Sequence, residues 1–394
     1  MRVVVVHNRY RSAQPSGENL VVDQEAAMLR GAGHEVIPYE RESDEIERYP
    51  ALRKALLPAR VLWSPEDRRQ LSALLAAKRP DVVHVHNTFP LMSPSVLAAC
   101  RDHGVPVVAT LHNFRLLCAN AQLLRAGGPC ELCVGHVPWR AVLHRCYRGS
   151  ALASAPIAAG IQVHRSRQTW TAGVTTFIAT TEFVKGRYVA DGFPADRIRV
   201  KPNLVPRPAY HRVGAGEYAL FLGRLSPEKG VDLLLDAWTP RLGQLLVVGD
   251  GPSRSELEAR AARHGDTVRF LGSQPHERSM QLLAGARALL VASRWYETFS
   301  LVAVEAYAHG VPVLAPALGV FPDLLRDGAT GLLFTPGDVR DLRDKLSRML
   351  DPTASRRMGE AARRLYEVTY TPERNLTALL AIYHDAIQTT GTGR

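Results

Sequence analysis

Short apolar runs alternate with amphipathic stretches along the whole chain. In the first half the runs fall at 2–8, 34–40, 81–87, 105–112, 175–180 and 198–203, with helical periodicity at 19–30, 68–78, 94–103 and 182–191. Strand-like runs separated by helical patterns predict a mainly parallel sheet with helices on both faces. The second half repeats this grammar. Its strands are predicted at 218–222, 245–249, 268–271, 288–292, 311–315 and 331–334, and its helices at 231–238, 254–263, 277–284, 300–309, 339–350, 354–366 and 372–387. The predicted class is α/β: two Rossmann-like domains in tandem, their parallel sheets facing a central cleft where ligands bind at the carboxyl edges. The expected domains are 1–203 and 204–370, with 371–394 a helix returning to the first. Pro202, Pro206 and Pro208 stiffen the junction between them. Segment 113–150 carries few periodic patterns and reads as an insertion, and 389–394 reads as a frayed tail.

A length of 394 residues with 46% hydrophobic and 22% charged residues is that of an ordinary globular chain with material for two cores. No run approaches the roughly 20 apolar residues of a membrane span. The start, Met1-Arg2-Val3-Val4-Val5-Val6-His7, reads as a first strand rather than a secretory signal, so a cytoplasmic location is expected. The formal net charge of +11 is scattered through helices, and no nucleic-acid module is visible. The excess fits affinity for phosphorylated ligands, with peripheral contact to an anionic membrane face as a second outlet.

The chemistry concentrates in the second half. Gly223-Arg224-Leu225-Ser226-Pro227-Glu228-Lys229-Gly230 follows a strand and precedes a helix. Arg224 and Lys229 therefore stand on a loop at a sheet's carboxyl edge, where a guanidinium fork and an ammonium suit a diphosphate; a solvated basic turn is the bland alternative. Glu297 and Glu305 are eight residues apart in a stretch where Thr298 is the expected N-cap and Gly310 the stop. That places Glu305 about two turns into a helix whose first amides suit an anion. Glu305 stands among Val302, Ala303, Val304 and Ala306. A carboxylate in such company needs an assigned partner, for which ribose hydroxyls qualify. Two glycine turns, Gly249-Asp250-Gly251-Pro252 and the loop from Asn8 to Gly17, complete the set.

In this order the motifs resemble the retaining glycosyltransferases of the GT-B fold, family 4, also termed glycosyl transferases group 1, of bacterial type. The resemblance covers nearly the whole chain, including Gly33-His34-Glu35-Val36, Asp81-Val82-Val83-His84-Val85-His86 and Gly328-Ala329-Thr330-Gly331. It implies a nucleotide diphosphate sugar held mainly by the C-terminal domain. Gly223, Arg224 and Lys229 would hold the diphosphate, with Gly249 and Gly251 beside it. The amides of Phe299, Ser300, Leu301 and Val302 would support phosphate, Glu305 would hold the ribose, and Glu297 would sit near the sugar. His112, in Thr110-Leu111-His112-Asn113, matches a histidine that such enzymes place facing the donor sugar; a hydrogen-bonded core histidine is the alternative. Ser16 stands where the family often has a first glycine, which weakens a phosphate role for Gly17. The catalytic set implied is His112, Glu297, Arg224 and Lys229. With no Asp-x-Asp signature, no metal or other cofactor is expected for catalysis.

Cys118, Cys130, Cys133 and Cys146 cluster in the insertion. A C-x-x-C knuckle with two outlying cysteines suits a structural zinc; buried thiols and a redox pair stay open. The expected function is sugar transfer, from UDP-sugar by its frequency in the resembled family, to a glycan, lipid-linked or small-molecule acceptor in bacterial cell-surface polysaccharide synthesis. A soluble natural-product acceptor, a nucleotide-sugar epimerase and a non-catalytic binding protein are the alternatives. The donor base, sugar, linkage and oligomeric state are not legible.

Overall fold

The computed structural model describes residues 1–12 and 16–391, so the middle of the loop from Asn8 to Gly17 and the last three residues of the expected tail lie outside them. The chain divides into two compact units. One is Met1–Leu123, Glu131–Leu204 and Asn375–Arg394; the other is Leu124–Cys130 with Val205–Arg374.

The first unit is built on β1 (Arg2–Arg9), β2 (Glu35–Glu42), β3 (Val82–Asn87) and β4 (Val107–Leu111). After the two-residue strands β5 (Leu124–Arg125) and β6 (Gly128–Pro129) come β7 (Thr176–Ala179) and β8 (Ile198–Val200). The six long strands are ordered β2-β1-β3-β4-β7-β8 and pair in parallel throughout. β1 is buried at nearly every position, as a central strand covered on both faces must be. The helix Pro372–Gly391 lays Leu379, Ile382, Tyr383 and Ala386 onto Val3, Val5, Val82, Val108 and Ile178. Each buried Leu, Ile or Val among them contributes about 1.5–3 kcal/mol.

The second unit comprises β9 (Tyr218–Leu222), β10 (Leu245–Val248), β11 (Val268–Gly272), β12 (Ala286–Leu290), β13 (Val313–Pro316) and β14 (Gly331–Phe334). Their order, β11-β10-β9-β12-β13-β14, is the doubly wound arrangement whose direction reverses between β9 and β12. All pairs are parallel. Both units thus carry the parallel α/β sheets expected from the alternating pattern.

Three details differ from expectation. The helix Ala151–Ser166 and the short helices between 45 and 62 were not predicted. The helix after Glu297 begins at Leu301 with Ser300 as N-cap, so Glu305 lies about one turn inside it, not two. Hydrogen bonds from Lys229 and Ser293 hold the Glu297 carboxylate in the irregular segment ahead of the helix. The proline-bearing junction is anchored at both ends: Lys201 is buried, and Val205 N–H donates to the Tyr370 carbonyl at 3.4 Å.

Candidate functional site

The reversal between β9 and β12 brings two loops of the second unit together. After β9 the chain passes Gly223 and Arg224, makes a 3-10 turn at Pro227–Lys229, and enters the helix Val231–Ala237 through Gly230 at φ 65°. A Cβ on Gly230 would run into the Ala292 carbonyl, two residues past β12, so glycine is required both by conformation and by space. Arg294 N–H donates to the Glu228 carbonyl at 2.8 Å, and the Arg294 guanidinium reaches Asp232 at 2.6 Å. These contacts lock the two loops side by side.

Across this junction Lys229 Nζ donates to Glu297 Oε1 at 2.8 Å, and Ser293 Oγ donates to the same oxygen at 2.6 Å. Burial pushes the Glu297 carboxyl up, but the Lys229 charge and these hydrogen bonds outweigh it and hold it below the usual range. Lys229 also lies 5.5 Å from the Trp295 ring centre. Arg224 is exposed, and among the described residues its guanidinium takes no hydrogen bond or ion pair. The loop therefore presents one free cation and one already neutralised by a buried acid.

Gly249 and Gly251 have a different immediate task from touching phosphate. A Cβ on Gly249, at φ 133°, would overlap the Gly223 carbonyl, and one on Gly251 would overlap that of Leu225. Gly223 N–H donates to Val248 at 3.0 Å and Leu225 N–H to Asp250 at 2.9 Å. The glycine turn after β10 is thus the floor on which the cationic loop rests.

Ser300 opens the helix Leu301–His309 without a side-chain cap, and its Oγ is buried with no partner. The first amides of this helix, from Leu301 and Val302, have no intrahelical acceptor by geometry, and Phe299 immediately precedes the cap. An unpartnered hydroxyl beside orphan amides is a donor set suited to an anion. Glu305 is partly buried and lines a cavity of about 220 Å³ with Arg207, Tyr210, His276 and His309. Burial alone pushes its carboxyl up to about 7. It forms no contact with Arg224 or Lys229 among the described residues.

Gly17 and His112 belong to the first unit. Gly17 opens the helix Gly17–Gly31, where Ser16 is the N-cap and its Oγ accepts from Asn19 N–H at 3.5 Å. His112 follows β4, and its Nε2 is 2.8 Å from His86 Nδ1. Burial lowers its pKa to about 3, so the imidazole is neutral in the ordinary pH range.

Around His112 lies a buried polar network that motif reading missed. Glu25 Oε2 accepts from Lys201 Nζ at 3.0 Å, and Lys201 also donates to Asn375 Oδ1 at 3.0 Å. Glu25 Oε1 lies 3.2 Å from His84 Nδ1 and 3.6 Å from His86 Nε2. His84 bonds the Tyr383 hydroxyl at 2.7 Å and Thr110 at 2.8 Å. Glu25, His84 and His86 are the one group of described residues whose ligand-type atoms lie within 4.8 Å of one another, as a metal ion requires, although Lys201 already supplies a positive charge there. Glu18 was missed too: burial pushes its carboxyl to about 7, against hydrogen bonds from Asn113 at 3.1 Å and Tyr10 at 3.3 Å. Its place one residue after Gly17 was the available signal.

The cysteine expectation is corrected. Among the described residues no three cysteine sulfurs converge as zinc ligands. Cys133 is buried in an apolar cluster with Ala119, Ala141, Ile157 and Ile161, with Cys146 packed against it, while Cys118 Sγ donates to Asn120 at 3.0 Å. Apolar packing holds the insertion where a metal staple was expected.

Comparison with known proteins follows the same division. The family model for glycosyl transferases group 1 matches residues 207–365, and that for Glycosyltransferase Family 4 matches residues 15–207. The D-inositol 3-phosphate glycosyltransferase of Mycobacterium tuberculosis is 38% identical over 205 residues, which span 49% of this chain and 41% of that protein. The match thus covers less than half the length of this curated relative. Among solved structures, Anabaena Alr3699/HepE in complex with UDP matches with a TM-score of 0.68 at 17% identity, covering 100% of both chains. Sucrose-phosphate synthase from Thermosynechococcus elongatus gives 0.69 at 19% identity, covering 98% of this chain and 99% of that one. These likenesses show a shared fold. With two adjoining family models running from residue 15 to residue 365 over two doubly wound units, the chain belongs to the family 4 glycosyltransferases (glycosyl transferases group 1) of the GT-B fold.

Proposed function

We propose that this chain is a retaining glycosyltransferase that moves a sugar from a nucleotide diphosphate sugar, with UDP as the nucleotide, to a glycan or lipid-linked acceptor in bacterial cell-surface polysaccharide synthesis. The observation that carries the reading is the Lys229–Glu297 pair at 2.8 Å, set beside exposed Arg224 at the reversal of the second sheet. In the reaction the bond between the anomeric carbon and the β-phosphate oxygen breaks, and a bond to the acceptor oxygen forms on the same face. The acceptor proton passes to the leaving phosphate, so no separate base is needed. Negative charge grows on the diphosphate as it leaves. Arg224, Lys229 and the first amides of the helix Leu301–His309 are pre-placed to stabilise it, which is where such groups act most strongly. Glu297 keeps the ammonium of Lys229 in place until substrate arrives. Glu305 accepts from the ribose hydroxyls, and neutral His112 addresses the sugar. The solved UDP complexes of Alr3699/HepE support the choice of nucleotide.

The first unit is assigned the acceptor. It holds a mainly apolar cavity of about 310 Å³ lined by Phe89, Met92, Ile157, Ile161 and Trp170, with Arg115 and the Arg165–Asp191 pair also in its lining. Such a cavity suits an amphiphile with an anionic group. We assign the enzyme to the cytoplasmic face of the membrane; no helix of the described residues is long and apolar enough to cross a bilayer. A second reading, transfer to a small soluble acceptor, is favoured by the name of the mycobacterial relative, an inositol phosphate glycosyltransferase.

Calorimetry against UDP-, GDP-, ADP- and dTDP-sugars identifies the donor. With that donor, Arg224→Ala and Lys229→Ala should each slow sugar transfer at least tenfold. Near-normal turnover in both removes the diphosphate assignment.

A further inference from the structure

We propose that Glu25 is a positioning residue for the transfer reaction: acting through His86, it sets His112 in the tautomer with its proton on Nε2 and its lone pair on Nδ1. The inference rests on the reading that His112 addresses the donor sugar. It deepens that reading by giving the imidazole the part of hydrogen-bond acceptor.

The sheet brings these groups together. β3 and β4 are parallel neighbours, with Val85 opposite Ala109. His86 therefore lies near the carboxyl end of β3 and His112 one residue past the end of β4. This is the edge where ligands bind in such sheets. Both rings border a small cavity of about 40 Å³ together with Asn113 and Arg115. Glu25 comes from the helix Gly17–Gly31 and is 4% exposed, against 6% for His86.

The proton count follows from what each group can do. His86 Nδ1 and His112 Nε2 are 2.8 Å apart, so one carries a proton and the other a lone pair. Burial keeps both rings neutral, pushing His86 well below its usual range and His112 down to about 3. A neutral imidazole has a single N–H, and the partner of one nitrogen decides the state of the other. The second nitrogen of His86, Nε2, faces Glu25 Oε1 at 3.6 Å. Burial pushes the Glu25 carboxyl up, but Lys201 at 3.0 Å outweighs it and holds the group ionised, so it can only accept. Glu25 Oε1 is buried and takes no hydrogen bond among the described residues, so its charge falls on the imidazoles that face it. At 3.6 Å the contact is an attraction between charge and dipole, not a hydrogen bond. An N–H pointed at that oxygen is attracted and a lone pair repelled. His86 thus carries its proton on Nε2, its Nδ1 accepts, and His112 donates from Nε2. Any hydroxyl that meets His112 Nδ1 must donate to it.

His84 leaves this order undisturbed. Its nitrogens bond the hydroxyls of Tyr383 and Thr110, at 2.7 and 2.8 Å, which donate or accept as required. Lys201 is clamped in turn. It donates to Asn375 Oδ1 at 3.0 Å, and Asn375 Nδ2 donates to the Pro202 carbonyl at 2.7 Å. A buried ionic network of this kind is a poor source of stability, since apolar side chains of similar volume often pack the space as stably. What it supplies is a fixed charge aimed at one face of a histidine pair.

The test is a long-range correlation spectrum of the free, full chain labelled with nitrogen-15 at histidine, in which the two nitrogens of each ring report which one is protonated. His112→Asn and His86→Asn identify the two rings by the signals they remove. His112 is expected with its proton on Nε2. Glu25→Gln should reverse this. The Lys201 ammonium claims the new amide oxygen, the amide NH₂ turns to His86 Nε2, and His86 then donates from Nδ1, leaving His112 protonated on Nδ1. A merely structural role would not move the tautomer. The same variant should slow hydrolysis of the nucleotide sugar that calorimetry selects from the UDP, GDP, ADP and dTDP panel at least tenfold. Affinity for the free nucleotide, held by the second unit, should stay unchanged. Near-ultraviolet circular dichroism checks folding. If Glu25→Gln is unfolded, His86→Leu replaces it with the same kinetic expectation, and the wild-type spectrum decides the tautomer. Wild-type His112 protonated on Nδ1, an unchanged tautomer in folded Glu25→Gln, or hydrolysis at the wild-type rate in the folded variant overturns the proposal. A wild-type protein that neither binds nor cleaves any nucleotide sugar overturns the transfer reading itself; the tautomer, read without ligand, tells the two failures apart.

Discussion

Glu305 gives the sharpest handle on the nucleotide site. Its carboxyl has no partner among the described residues, and burial raises it to about 7. Two ribose hydroxyls donate more strongly to the ionised form, whose two oxygens both accept with full charge, so binding should be linked to loss of that proton. About nine-tenths of the carboxyl is ionised at pH 8 and about one-tenth at pH 6. Apparent affinity for UDP-glucose should therefore fall about tenfold, or about 1.4 kcal/mol, across that interval. UDP-glucose is the right probe because its diphosphate is a diester, whereas free UDP has a terminal phosphate that titrates near the same range. Calorimetry at pH 6 in two buffers of different ionisation enthalpy should find nearly one proton released per nucleotide bound. Glu305→Gln should abolish both the slope and the proton release. His309 lines the same cavity, and burial lowers its pKa; His309→Asn and His276→Asn should each leave the slope in place. Without ligand the sign reverses. The folded value lies above the unfolded one, so the stabilisation from holding the proton is complete below about 4.3 and is lost as pH rises through about 7. Glu305→Gln should thus stabilise the free protein at pH 8 and do little at pH 4. A flat affinity from pH 6 to 8, or an equal slope in Glu305→Gln, would refute the ribose assignment.

Two further outcomes test the scaffold. Lys201→Met leaves Glu25 buried without its cation and should cost about 3–5 kcal/mol in denaturant unfolding at pH 7. Burial pushes Glu25 up, but Lys201 and the neighbouring histidines outweigh it and hold it well below the usual range, so the difference from wild type should shrink as pH falls below about 4.3. Gly249→Ala should lower the thermal midpoint much more than Gly243→Ala does. Both positions have positive φ, but only at Gly249 does a Cβ meet backbone, adding about 1–3 kcal/mol of overpacking to the conformational strain.

The sheets were legible because central parallel strands are written as continuous Val and Leu runs between helical patterns, as at Val3–Val6 and Leu245–Val248. The helix Ala151–Ser166 was not, because it carries a proline at its sixth position and lacks the polar face that reveals a helical period. The loop bearing Arg224 and Lys229 and the Glu297–Glu305 spacing were readable as local motifs. The pairing of Lys229 with Glu297 was not written locally; it arises because β9 and β12 are sheet neighbours. The Glu25 network was invisible for the same reason: Lys201 lies 176 residues from Glu25, inside a segment that read as a linker. The cysteines were over-read, since spacing alone cannot distinguish zinc ligands from small apolar side chains filling a satellite core.

The central claim is that the cations of the β9 loop neutralise the departing diphosphate, and donor cleavage tests it without an acceptor. Release of nucleotide from the cognate nucleotide sugar by slow hydrolysis should fall at least tenfold in Arg224→Ala and again in Lys229→Ala, each loss amounting to about 1.4 kcal/mol of transition-state stabilisation. Hydrolysis at wild-type rates in both folded variants would contradict the account.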